Sequence, residues 1–315
     1  MKTLQRRVAL VAGATRGAGR GIARGLGEAG AVVYCTGRSV RGKPATPGRR
    51  ETVEETAEMV TAAGGTGIAV RCDHTKQADV RKLVARIKAD QKGRLDILVN
   101  DVWGGDALTE WGKTFWQVSL DKGLAMLVQA IHSHIITSRL AVPLMIQRGR
   151  GVIVEITDGD FFGYRGNLFY DLVKISVIRL AMVMAYELRK TDICALALTP
   201  GFLRSEAMLD HFGVTEAHWR DAGTKEPDFL HSETPLVVGR AVASLAADSN
   251  VKSKSGKVCS SWDLSDEYGF TDADGSRPHW GNHFCAAYGV YKKFDDLLYR
   301  HFVDNPGALV FPDWP

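Results

Sequence analysis

The sequence predicts an α/β fold, a doubly wound parallel sheet with helices on both faces. Three observations lead there. Short apolar runs rich in β-branched residues recur from residue 8 to about 200, longer amphipathic stretches separate them, and a glycine-rich turn joins the first run to the first stretch. The runs do not alternate apolar with polar residues, as expected of strands covered on both faces. Strand-helix repetition of this kind gives parallel pairing with right-handed crossovers, and ligands then bind at the carboxyl ends of the strands.

The first strand is expected at 8–11, where Lys2, Arg6 and Arg7 precede an apolar run of seven residues, 8–14. A charged start followed by apolar residues superficially resembles a secretion signal. The run is at the lower limit for a signal core and far too short to span a membrane, so it reads as a buried strand. Further strands are expected at 31–36, 67–72, 97–99, 152–156 and 193–198. Apolar residues at helical spacing place helices at 20–29, 51–63, 78–92, 124–147 and 174–189. Beyond residue 201 the pattern loosens. The stretch 202–235 is mixed and rich in His, Asp and Thr, which suits a mobile substrate-side segment. A helix at 238–247, a possible last strand at 255–259, a turn-rich stretch at 265–283 and a terminal helix at 288–302 complete the chain. The expected organisation is one domain over 1–260 with a C-terminal extension, 261–315, packed on it.

Composition limits the partners. Apolar residues make up 45% and charged residues 24% of the 315 positions, which excludes disordered and fibrous classes. A net charge of +4 is too small for a nucleic-acid footprint, so no nucleic-acid partner is expected, and no membrane partner either. Five scattered cysteines, an odd number, form no disulfide framework and point to a reducing, cytoplasmic compartment.

The chemistry starts at Ala12-Gly13-Ala14-Thr15-Arg16-Gly17-Ala18-Gly19, between the first strand and the first helix. Glycines serve where a turn demands positive φ or where backbone must approach a phosphate without a Cβ in the way. The helix terminus that follows offers free N–H groups and a positive dipole end to a pyrophosphate. The spacing differs from G-x-G-x-x-G. It resembles the T-G-x-x-x-G-x-G of the short-chain dehydrogenase/reductase family, with Ala12 in the Thr position. Asp73, Asn100, Tyr170-x-x-x-Lys174, Pro200-Gly201 and Ser205 follow in that family's order. The resemblance covers about residues 6–260 and implies a Rossmann-like fold. Ser255-Gly-Lys-Val, Asp263-Leu264, Tyr268-Gly269 and Asp272-x-Asp274-Gly275 are similar to the dehydrogenase/reductase member 1 branch of the family.

What the resemblance implies can be stated residue by residue. Gly13, Thr15, Arg16, Gly17, Ala18, Gly19, Arg38, Asp73, Asn100, Tyr170, Lys174, Pro200, Gly201 and Ser205 form the cofactor site. No acidic residue occurs from Ala31 to Arg50 to hold a ribose 2′-hydroxyl, while Arg16, Arg38, Arg41, Lys43, Arg49 and Arg50 offer cations to a 2′-phosphate. The cofactor is therefore expected to be NADP(H), with Arg16 and Arg38 as its phosphate contacts. For Arg41 to Arg50 two readings stand, phosphate contacts or a solvated basic loop.

Tyr170 and Lys174, at i and i+4, lie one turn apart on one helix face. A free tyrosine is a poor proton shuttle at neutral pH, and a nearby cation lowers its pKa. By resemblance Tyr170 passes the proton, and Lys174 assists it while holding the nicotinamide ribose. The family's serine before the tyrosine is absent. Thr157 and Asp158 stand at 13 and 12 residues before Tyr170. Thr157 is the preferred replacement because it keeps a hydroxyl, whereas a carboxylate at Asp158 would raise the Tyr170 pKa; Asp158 stays the alternative. Ala130 occupies the place of the family's relay asparagine, with Gln129 and His132 as weak substitutes.

Trp103, Trp111, Phe115 and Trp116, with Phe161, Phe162, Tyr164 and Phe169, border the expected substrate end. They suit an apolar or aromatic carbonyl or alcohol as the small-molecule substrate, or serve as packing. No metal is expected. His279-x-x-x-His283-x-Cys285 lacks a fourth ligand, Asp272-x-Asp274-Gly275 lacks the rest of a calcium loop, and His132 and His134 cannot face one ion. The leading reading is an NADP(H)-dependent carbonyl reductase or alcohol dehydrogenase. The alternatives are a catalytically weakened NADP(H)-binding sensor and a non-redox lyase or isomerase on the same fold. The resemblance implies a homodimer or homotetramer paired through the two long helices, 124–147 and 174–189. Ile175, Val177, Ile178 and Met182 are compatible with that interface or with burial against the sheet.

Overall fold

In the computed structural model, residues 3–161, 163–290 and 293 are described. Seven strands, β1 (Val8–Ala12), β2 (Val32–Gly37), β3 (Thr66–Arg71), β4 (Ile97–Asn100), β5 (Arg150–Ile156), β6 (Asp192–Thr199) and β7 (Val258–Ser260), form one sheet in the order β3-β2-β1-β4-β5-β6-β7. All pairings are parallel. The winding reverses between β1 and β4, so a crevice opens at their carboxyl ends, the place where doubly wound sheets bind ligands. The fold is the expected Rossmann-like α/β sandwich.

Two apolar cores hold the layers. On one face α1 (Gly17–Glu28), α2 (Val53–Ala62) and α8 (Pro235–Ala247) pack through Ile22, Leu26, Val60, Val238 and Val242. The other face carries α3 (Gln77–Asp90), α5 (Ser133–Arg148) and α6 (Leu168–Glu187), packed through Leu83, Ile87, Leu144, Met145 and Ala185. Strand β1 feeds both cores: Ala9 and Val11 belong to the first, Val8 and Leu10 to the second. That explains a run without alternation.

The remaining helices are α4 (Leu120–Leu127), α7 (Glu206–Phe212), α9 (Ser261–Tyr268) and α10 (Trp280–Tyr288). Helices α4 and α5 are joined by one wide π turn at Val128–His132, centred on Ala130. Several expectations need correction. Helix α6 starts at Leu168, six residues before the expected start, because the Asn167 side chain accepts from the amides of Phe169 and Tyr170. Tyr170 therefore lies in the first turn. Helix α1 starts at Gly17, inside the glycine loop, where weak glycine propensity concealed it. The expected mobile segment 202–235 contains α7 and two 3₁₀ turns, Glu216–Thr224 and Pro227–His231. Trp219, Ala222 and Phe229 from these turns form a buried cluster. The stretch 265–283 contains the end of α9 and the start of α10. The expected terminal helix 288–302 has only Tyr288, the last residue of α10, Gly289, Val290 and Lys293 among the described residues; the rest lies outside them.

Ile178 and Met182 are buried against Ala197 and Val258 of the sheet with Ile175 half-buried beside them, and Val177 is buried against Met126 and Ala130, so packing within this chain accounts for all four. The exposed apolar residues of the same region include Leu124, Val128, Ile135, Leu172 and Val183. Among the described residues no helix is long and apolar enough to cross a membrane.

Candidate active site

The carboxyl ends of the central strands open into a cleft of about 800 Å³, a volume suited to a cofactor-sized molecule. The glycine loop forms its floor. Gly13 and Gly17 take φ of 95° and 56°, conformations that favour glycine, and a Cβ on Gly13 would collide with the Asp101 carbonyl. Arg16 precedes α1 in extended conformation and its side chain makes no capping bond. The first amides of α1 are thus presented to the cleft, and one already holds an anionic group: Gly17 N donates to Glu206 Oε2 at 2.7 Å.

Thr15, Arg16, Ala18, Arg38, Asp73, Pro200, Gly201 and Ser205 line the same cleft. Of the basic cluster only Arg16 and Arg38 do so. Arg16 Nη2 donates to Thr46 at 3.1 Å, and Arg38 Nη2 to Gln129 Oε1 at 3.1 Å. Arg41 is engaged with Glu58, and Arg49 with Glu51 and Asp210, so these two are paired within the chain. Asp73 accepts from the amide and hydroxyl of Thr75, and its carboxyl lies below its ordinary pKa despite burial. Asn100 departs from expectation. Its side chain is turned into the interior, donating to Ser138 Oγ at 2.9 Å and Glu155 Oε1 at 2.7 Å, and it does not line the cleft. Glu155 in turn meets His134 Nδ1 at 2.6 Å, which fixes the layer between β5 and α5.

Tyr170 and Lys174 project from the first turns of α6 into the cleft. The Lys174 ammonium stands 5.3 Å from the Tyr170 ring and 4.4 Å from the Trp103 ring, and Trp103 meets Tyr170 edge-on at 5.4 Å. Trp111 packs on Tyr170 at 5.1 Å. Burial lowers the Lys174 pKa.

The serine substitutes separate clearly. Thr157 donates its hydroxyl to the carbonyl of Lys174 at 2.8 Å, bracing α6, and is not aimed at the Tyr170 hydroxyl. Asp158 is. Tyr170 Oη donates to Asp158 Oδ2 at 2.7 Å. Burial first, and the Asp158 carboxylate second, raise the Tyr170 pKa well above its ordinary value. The Tyr170 hydroxyl is thus met by Asp158 and not by Thr157, whose own hydroxyl finds a backbone acceptor on α6.

Arg165 carried no sequence signal, yet it organises this loop. Its buried guanidinium pairs with Asp171 at 3.1 Å and donates to the carbonyls of Asp158, Gly159 and Phe161. Asp101, the residue after Asn100, also lines the cleft. It is half-buried at the α1 terminus, where a Cβ on Gly19 would lie 2.8 Å from its Oδ2, and desolvation pushes its carboxyl up to about 7.

No side chain at Ala130 reaches toward Lys174. His132 is exposed, and Gln129 is engaged with Arg38. At the substrate end, Trp103 and Trp111 are joined by Phe202, Met208, His211 and Trp280. Phe115 and Trp116 instead pack on each other in the open, Phe169 is core, Tyr164 is exposed and Phe161 stacks on Phe284. Phe162 lies outside the described residues. His283 meets Asp228 at 2.8 Å, and Asp272 serves as acceptor for Thr234 and Arg204.

A short chain dehydrogenase family model matches residues 7–212. Dehydrogenase/reductase SDR family member 1 of Mus musculus is 34% identical over 311 residues, covering 98% of this chain and 95% of the relative. Its Homo sapiens counterpart is 34% identical over 272 residues, covering 85% and 83%. Among solved structures, one from Beutenbergia cavernae with bound NADP at low occupancy superposes with a TM-score of 0.64 and 26% identity, covering 82% of this chain and 96% of its own. A short chain dehydrogenase from Mycobacterium thermoresistibile reaches a TM-score of 0.72 at 22% identity, covering 88% and 92%. Extending across both the nucleotide turn and the Tyr170–Lys174 helix, these matches carry one assignment: the chain belongs to the short-chain dehydrogenase/reductase family of oxidoreductases.

Proposed function

We propose that this protein is an NADP(H)-dependent carbonyl reductase or alcohol dehydrogenase acting on a small apolar or aromatic substrate. The observation that carries the reading is the Tyr170–Lys174 pair facing the same cleft as the glycine turn. A nicotinamide held there supplies or takes the hydride. Gly13 to Gly19 would receive its pyrophosphate, in a turn whose Gly13 packs too closely on the Asp101 carbonyl to allow a Cβ. Arg16 and Arg38 would take the 2′-phosphate, and Asp73, Pro200, Gly201 and Ser205 would flank the nucleotide. The NADP bound to the Beutenbergia cavernae protein supports the same choice. Arg38→Ala is expected to weaken NADP⁺ binding at least about tenfold and leave NAD⁺ nearly unchanged, as titration of nucleotide fluorescence would read. An unaltered preference contradicts the assignment.

Tyr170 donates its proton to the carbonyl oxygen in reduction and takes one from the alcohol in oxidation. Lys174 supports the phenolate. Asp158 sets the pH range of both directions, because a carboxylate beside the hydroxyl holds the proton on Tyr170. Asp158→Ser is expected to lower the Tyr170 pKa, so that more phenolate is present at neutral pH and alcohol oxidation rises by up to about tenfold, while the basic limb of reduction moves to lower pH. Profiles of kcat/KM against pH that do not move would reject this role.

Ala130 and the Asp158 contact favour one rival, a nucleotide-binding protein with little turnover. We further read residues 1–260 as the nucleotide domain and 261–315 as an extension packed on it, with Leu264 in the main core. The five free cysteines support a reducing, cytoplasmic setting. The exposed face of Leu124, Ile135, Leu172 and Val183 supports a homodimer or homotetramer.

A further inference from the structure

The glycine turn is faced by a helix of the wrong charge. Helix α7 places Glu206 and Asp210 at i and i+4, on one face. Glu206 accepts the Gly17 amide at 2.7 Å and pairs with Arg20 at 3.5 Å. Asp210 pairs with Arg49, in the basic loop after β2. Elsewhere α7 is half-buried, with Met208, Leu209 and Phe212 packed against the Trp219–Phe229 cluster and Glu206 turned to the α1 terminus. Its base is firm, since Arg204 N donates to the Glu233 carbonyl at 2.8 Å and the Arg204 guanidinium is buried against Ser232 and Asp272.

We infer that Glu206 is a built-in competitor for the cofactor's pyrophosphate, and that α7 is a strap which the arriving nucleotide must displace from the α1 terminus. The inference rests on the reading of this cleft as a dinucleotide site. The physical argument is that one helix terminus cannot serve two anions. The Gly17 amide and the positive end of α1 satisfy either the Glu206 carboxylate or a phosphate oxygen. A carboxylate left beside a bound pyrophosphate also repels it. The wild-type affinity is therefore reduced by the free energy needed to undo the Glu206 contact. Asp210 adds to this through Arg49, because freeing α7 separates that pair as well. Being exposed at the Asp210 side, that tie is the weaker one.

The test is calorimetric or fluorescence titration of the full chain with NADP⁺ and NAD⁺ in parallel, for wild type, Glu206→Gln, Glu206→Ala and Asp210→Asn. Both Glu206 variants are expected to bind each nucleotide about tenfold more tightly than wild type, by the same factor because the pyrophosphate is common to both. Asp210→Asn should tighten binding by a smaller factor. Inorganic pyrophosphate should likewise compete better in the Glu206 variants. Glu206→Gln keeps the shape of the contact and removes only its charge, so it decides the matter if Glu206→Ala folds poorly. Unchanged or weaker binding in Glu206→Gln, with a wild-type melting curve, overturns the inference. A preference for NAD⁺ in every protein would contradict the NADP(H) reading and leave the strap standing. Failure of all four proteins to bind either nucleotide would overturn both.

Discussion

Tyr170→Phe is expected to lower turnover about a thousandfold while nucleotide affinity changes by no more than about twofold. The substitution keeps the ring and so keeps its packing on Trp103 and Trp111 at 5.4 and 5.1 Å. What is lost is the phenolic proton at the cleft's inner end and the hydrogen bond to Asp158 at 2.7 Å. Positioned acids contribute a factor of about 10² to 10⁴, and the Tyr170 hydroxyl faces the cleft beside Asp158. Lys174 is desolvated and set over Trp103, and Thr157 is committed to the α6 backbone. Steady-state consumption of NADPH with a panel of aldehydes, ketones and quinones checks the result. Equal rates in parent and variant would remove Tyr170 from the chemistry.

The largest effect on stability is expected at Gly21. Alanine in a helix interior normally gains about 1 kcal/mol over glycine, so an exposed site would be stabilised. Here the sign reverses. A methyl on Gly21 would overlap the Pro235 carbonyl, and on the facing helix a methyl on Gly239 would overlap the Gly21 carbonyl. Both obstacles are backbone, which cannot rotate away, so α1 and α8 must separate and open the core around Ile22 and Val238. Gly21→Ala is expected to destabilise the fold by about 3 kcal/mol net, lowering Tm by at least about 5 °C. Arg24→Ala, on the exposed side of the same helix, is the control and should stay within about 0.5 kcal/mol. Thermal melts that rank the two alike would disprove the close-packing argument.

The parallel sheet was legible because each central strand is a short apolar run and each helix repeats its apolar residues locally. The glycine turn and the Tyr170–Lys174 pair were legible for the same reason, since each lies within a few residues of chain. What stayed hidden depends on distant partners. Asn100 carries the family's residue type but faces Glu155 and Ser138, which come from other elements. The side-chain rotation that sends Thr157 to the α6 backbone and leaves Asp158 on Tyr170 is a tertiary choice between adjacent polar residues. Trp219 and Phe229 form a cluster from short 3₁₀ turns that lack the 3.6-residue period, so their segment read as a loop. Glu206 stood next to a recognised position, yet only the fold brings it to Gly17, 189 residues away in the chain.

We propose that a hydride moves in this cleft between NADP(H) and a carbonyl carbon with Tyr170 as the acid. The most direct measurement is single-turnover mixing of the protein with NADPH deuterated at the nicotinamide C4, using aromatic aldehydes and ketones as acceptors. Loss of the NADPH absorbance band, appearance of the label on the alcohol carbon and loss of both in Tyr170→Phe are the predicted result. Tight NADPH binding with no label transferred to any acceptor, identical in parent and Tyr170→Phe, would contradict it.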